Sequence, residues 1–158
     1  YHPDHRNTAI LVQDAAFMVI VPNIAPDTPA LKKNPVFLFA EDGFQKPNPF
    51  KADIAIDISK VFDQKIYGMA AHESQFFEWL PWLNGQLDNV PATEEGRIEW
   101  LKNWRKPRVK NNVKQSLIKW YGAEKAEKIK YAEAFEICEF GHHPSDEELK
   151  KLFPMLSE

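Results

Sequence analysis

Residues 1–23 read YHPDHRNTAILVQDAAFMVIVPN, and the rest of the chain is read outward from them. His2 and His5 stand three positions apart with Pro3 and Asp4 between them, directly before a mostly apolar, helix-compatible run that Pro22 closes. Proline suits the first position of a helix, because the N–H it lacks would be unpaired there anyway. The spacing predicts a buried helix from about His5 to Val21, with His2 at its cap and His5 about one turn on. Two imidazoles would then converge on one point. Neutral imidazole nitrogen ligates zinc, and Asp4 could hold the second nitrogen of one ring and fix its tautomer. The same residues also make an ordinary polar helix start, since a short HxxH pattern recurs by chance. Spacing leaves both readings open.

Beyond this stretch, helix and strand signals alternate. Residues 22–35 contain Pro22, Pro26, Pro29 and Pro35, too many for regular structure, and predict a surface loop or flap. VFLFA, residues 36–40, is a short apolar run between Pro35 and Gly43 and predicts a buried central strand. ADIAIDIS, residues 52–59, alternates Ile54, Ile56 and Ile58 and predicts a second strand running into a helix near Ser59. In that helix Phe62, Ile66, Met69, Phe76 and Leu80 share one face at about 100° per residue, as far as the Pro81 region. Residues 92–106 and 109–122 predict two more helices, parted by Pro107, with Gly122 closing the second. KIKYAEAFEICEF, residues 128–140, alternates as a strand should. Ser145 followed by Glu148 is a capping box for a short last helix.

The bulk numbers set the class. A chain of 158 residues with 44% hydrophobic content reads as one globular domain, residues 1–158, of the α/β class. With 20 Lys+Arg against 23 Asp+Glu the formal net charge is -3, which favours neither nucleic acid nor an anionic membrane. The single cysteine, Cys138, rules out an internal disulfide and fits a reducing compartment. No apolar run approaches the roughly 18 residues of a membrane span. No signal peptide is visible before Tyr1, so a soluble, cytoplasmic protein is expected.

Three segments in this order, YHPDHRNTAILVQDAA, AAHESQ (residues 70–75) and KYAEAF (residues 130–135), resemble the C-terminal half of the LmbE/PIG-L-type metal-dependent N-deacetylases, over Tyr1 to about Phe140. The resemblance implies a Rossmann-like three-layer α/β sandwich, here an incomplete C-terminal part with additional helices. It implies zinc, or another divalent cation, and hydrolysis of the acetyl group from an N-acetylglucosamine-type sugar or glycoconjugate. Carried onto this chain, His5 is a metal ligand. His2 is the imidazole beside the open coordination position, stabilising the oxyanion and protonating the departing amine, and Asp4 orients His2. The family's first motif, His-Pro-Asp-Asp, has no counterpart here, and with it go two ligands and the acid expected as general base. The expectation is therefore a fragment of an enzyme, weakly active by itself, whose site is completed by a missing N-terminal segment or another chain. The other function class is a noncatalytic α/β interaction or sugar-binding module derived from that family.

The remaining chemistry-bearing residues have blander readings. His72 falls at the edge of its helix's apolar face and predicts a half-buried, hydrogen-bonded imidazole, with buttressing of the site as the alternative. Glu133 reads as a solvated or salt-bridged strand acid, with support of the site's ligands as the alternative. Trp79, Trp82, Trp100, Trp104 and Trp120 could stack on a sugar ring, but tryptophans on helices mostly pack in cores. His142 and His143 are adjacent, so on a strand they would face opposite ways and not share an ion. The basic run at residues 102–114 reads as a solvated helix face.

Overall fold

The computed structural model of the chain describes residues 2–45, 47–104 and 109–157. It is a mixed helix and strand structure with a small three-stranded sheet. The strands are β1 (Val36–Ala40), β2 (Ile54–Asp57) and β3 (Ala132–Gly141), in the order β1-β3-β2. β1 runs antiparallel to β3, with Leu38 opposite Ile137 and Ala40 opposite Phe135. Bonds from Asp53 N to Phe135 O and from Ile58 N to Tyr131 O flank β2 and give it the opposite sense to β3 as well.

All three expected strands form, but the centre of the sheet is β3, not β1. β1 is an edge strand, half-buried from Val36 to Phe39 and exposed at Ala40. β2, in contrast, buries Ile54, Ala55 and Ile56 in succession, so both of its faces are covered. On β3 the face that is buried carries the small residues Ala132, Ala134 and Cys138, while Phe135 and Ile137 are half-buried.

By density of packing the chain forms two units. The first comprises residues 1–56, 111–127 and 134–158, and the second residues 57–110 and 128–133. The first unit contains α1 (Pro3–Met18), α5 (Asn111–Tyr121), α6 (Ala123–Ala126) and α7 (Asp146–Leu152). The second contains α2 (Phe62–Ala70), a π-helical segment Ser74–Trp79, α3 (Leu80–Leu83) and α4 (Glu94–Trp104).

In the first unit α5 supplies the core. Val113, Leu117 and Trp120 recur at helical spacing and are buried, and the Trp120 indole N–H donates to the Asp53 carbonyl at 3.0 Å. Asp53 also extends the sheet by side chain. Its carboxylate accepts from Ile137 N–H at 3.0 Å and from Lys51 Nζ at 2.7 Å, and this partner holds the Lys51 ammonium above its ordinary pKa. Gly122, at φ +79°, ends α5 as expected. Gly141, at φ +84°, is required twice over, because a Cβ there would lie 2.6 Å from the Phe37 ring and 2.8 Å from the Pro35 carbonyl. The capping box of α7 is present: Ser145 Oγ accepts from Glu148 N–H at 3.2 Å and the Glu148 carboxylate accepts from Ser145 N–H at 3.0 Å.

The first helix corrects the sequence reading. It forms, but it is not buried. Ala16 is the one buried residue described in α1, whereas Leu11 is 65% and Phe17 73% exposed. Ala9, Ile10, Leu11 and Val12 follow one another at about 100° per residue, so they point all around the axis and no single stripe exists to bury.

The second unit corrects the long helix expected after Ser59. α2 stops at Ala70, the next six helical residues form a π segment, and α3 carries Pro81 in its first turn, where proline is tolerated. A π turn holds more residues than an α turn, so a face projected at a constant step drifts out of phase. Phe77 is buried in place of Phe76. The expected separation of α4 and α5 at Pro107 lies outside the described residues. Among the described residues no helix is long and apolar enough to cross a membrane.

Candidate functional site

α1 positions the histidines. His2 is the N-cap, with extended backbone, Pro3 occupies the first helical position and Asp4 the first turn, where the helix dipole favours an acid. The rings of His2 and His5 meet at the start of the helix, their centroids 5.3 Å apart and their planes tilted by 38°. The spacing therefore brings the two rings side by side, but they do not line one cavity as convergence on a shared site requires.

Asp4 takes a different place from the expected one. His2 Nδ1 accepts from the Asp4 backbone N–H at 3.2 Å, and the Asp4 carboxylate is 3.9 Å from that same nitrogen, beyond hydrogen-bond length. An Nδ1 that accepts from an amide carries no hydrogen, so the neutral ring keeps its hydrogen on Nε2. Backbone capping, not the carboxylate, orients His2. Both residues are exposed.

His5 lines a cavity of about 550 Å³ in the first unit, walled by Phe37, Phe39, Ile10, Val12 and Cys138 and edged by Arg6, Gln13 and Asp42. A mostly apolar cavity with a few polar groups is the usual form of a small-molecule site. His2 and Asp4 do not line it. Sequence reasoning missed Arg6, Phe37 and Phe39. The available signal was the alternation of β1, which sets Phe37 and Phe39 on one side, but what faced that side could not be read locally.

A catalytic zinc ion takes three protein ligands and keeps one position open. Among the described residues no three His, Cys, Asp or Glu side chains are grouped to hold a metal ion. The described residues bring two imidazoles together and do not complete a donor set on their own.

Other chemistry-bearing residues fall mostly into structural roles. Glu133 is ion-paired with Lys65, one of the roles expected of it. His72 is exposed, not half-buried, because α2 ends two residues before it. His142 Nε2 faces both oxygens of Glu148 at 3.2 Å, while His143 Nε2 lies 2.9 Å from the Glu139 carbonyl. The two rings thus serve separate partners. The Ser145 N–H, with Lys33 and His142 beside it, holds the Glu148 carboxyl down at about 2. In the basic run, Lys102 pairs with Asp63 and Lys114 with Glu127, while residues 105–108 lie outside the described residues. Trp120 is core and Trp100 packs on Trp104 with ring centroids 4.7 Å apart, whereas Trp79 and Trp82 are 46% and 65% exposed. No family model matches the chain, and no solved structure matches it significantly.

Proposed function

We propose that the chain is part of a zinc-dependent N-deacetylase that removes the acetyl group from an N-acetylglucosamine-type sugar or glycoconjugate. The observation that carries the reading is the pairing of the His2 and His5 rings, 5.3 Å apart, at the N-terminus of α1. In this reading His5 contributes an imidazole nitrogen to the metal, and an upstream segment or another chain contributes the remaining ligands. When bound, the metal supplies an acidified water near neutral pH. His2, with its hydrogen on Nε2, is suited to donate to a developing oxyanion, and the protonated ring to the departing amine. Asp4 balances the charge of that protonated ring. The Rossmann-like sandwich belongs to the same proposal, its parallel strands assigned to the part that carries the remaining ligands.

The test is zinc titration, with acetate release from N-acetylglucosamine conjugates, on this chain and on the gene product that carries it. His5→Ala is expected to weaken zinc binding about tenfold or more, and His2→Ala to lower turnover while leaving zinc in place. Zinc affinity unchanged after both substitutions would end the reading.

A second reading, a noncatalytic sugar-binding module, draws on the exposure of Trp79 and Trp82, three residues apart in the second unit. Exposed indoles stack on pyranose rings. Sugar binding that survives the histidine substitutions, is lost in Trp82→Ala and proceeds without acetate release would favour it.

A further inference from the structure

The second unit holds a pocket unlike the one beside His5. It is an open pocket of about 620 Å³, and Lys60, Lys102, Lys128 and Lys130 line it against two acids, Asp63 and Glu99. That is a local excess of two positive charges in a chain whose formal net charge is -3. A concave site with one sign of charge focuses the field and gathers counter-ions.

Not all four cations are used structurally. Lys102 Nζ lies 2.9 Å from Asp63 Oδ1, which accounts for one lysine and one acid. Lys60 and Lys130 make no ion pair among the described residues, although they flank the same cavity. Between them Ser59 Oγ accepts the backbone N–H groups of Lys130 and Tyr131, each at 3.3 Å. Those two bonds fix the oxygen and leave its own hydrogen to donate elsewhere. One part of the otherwise polar wall is aromatic: Phe62 and Tyr131 stack with centroids 3.9 Å apart and planes 15° from parallel.

Single-point ammonium donors plus a hydroxyl suit a tetrahedral dianion. A planar carboxylate is better matched by the fork of an arginine, which this lining lacks. The half-buried Tyr131 ring, backed by the buried Phe62, gives an attached organic body an apolar patch, and the volume is that of a small-molecule site. We propose that the second unit binds a small organic phosphate monoester in this pocket, with Lys60, Lys130 and Ser59 holding the phosphate. This proposal does not depend on the deacetylase reading.

The experiment is calorimetric titration of the chain at low ionic strength with glucose 6-phosphate and with inorganic phosphate. The expected result is saturable binding of both, one per chain, the sugar phosphate tighter and with Kd below about 1 mM. Lys60→Gln with Lys130→Gln should weaken it about tenfold or more, and Ser59→Ala by less. Both lysines are exposed, so their replacement leaves the core untouched. Lys32→Gln with Lys125→Gln removes the same charge from the first unit and should change nothing. Absence of saturable binding, or equal weakening in both double variants, would overturn the proposal, the latter by showing a general charge effect.

Discussion

α1 and α5 lie in the same unit and make an instructive pair. α1 is the more apolar in composition, yet Ile10, Leu11, Val12 and Phe17 are all exposed. α5 carries Lys114, Gln115 and Lys119, yet Val113, Leu117 and Trp120 are 2%, 0% and 9% exposed. The difference is arrangement, not content. Apolar residues confined to one stripe can all be covered by one neighbour, whereas residues spread around the axis cannot. α1 therefore delivers its functional interest at its end, where the histidines meet, and α5 delivers stability.

The sharpest way to break this comparison is truncation. Leu117→Ala should cost about 2–5 kcal/mol in urea unfolding, because a fully buried leucine leaves a cavity. Leu11→Ala should change stability by less than about 0.5 kcal/mol. Similar losses at both positions would mean that α1 is covered in solution.

A second substitution sharpens the contrast between the packed sheet and the open helix. Gly141→Ala combines a left-handed backbone with contacts of 2.6 Å and 2.8 Å to Phe37 and Pro35, and should destabilise by about 2 kcal/mol or more. The same unfolding measurement checks it. Full stability in this variant would show that the β1 end of the sheet is as loosely held as α1.

The smallest effect concerns acid. Glu148 has a folded-state pKa of about 2, below the ordinary 4.5, through the Ser145 N–H and its partners Lys33 and His142. A carboxyl held down contributes stability that is present above about 4.5 and is lost as pH falls towards 2. Glu148→Gln should remove that part of the acid dependence, lowering stability modestly at neutral pH and leaving it little changed near pH 2. Carboxyl titration of Glu148 by NMR, expected near 2, checks it directly, and an ordinary value would dissolve the cluster that joins α7 to the loop after α1.

Legibility followed the range of the forces involved. The capping box at Ser145, the Gly122 stop, the three strands and the His2–His5 pairing rest on neighbours within a few positions, so local pattern sufficed. The break after Ala70 escaped notice because a π segment changes the residue count per turn without a sequence mark, and the exposure of His72 followed from it. The site was half legible. Spacing brought the two rings together, but it could not show that His5 alone lines a cavity or that capping, not Asp4's carboxylate, orients His2.

By itself the sequence determined which segments become helix or strand and, at Gly122 and the Ser145 capping box, where one stops or starts, since caps, glycines and alternation act on the chain within a turn or two. The tertiary structure decided which strand is central, which apolar residues are covered, and where four lysines from separated segments gather around one cavity. Burial and clustered charge depend on residues far apart along the chain, and only folding brings them within reach of one another.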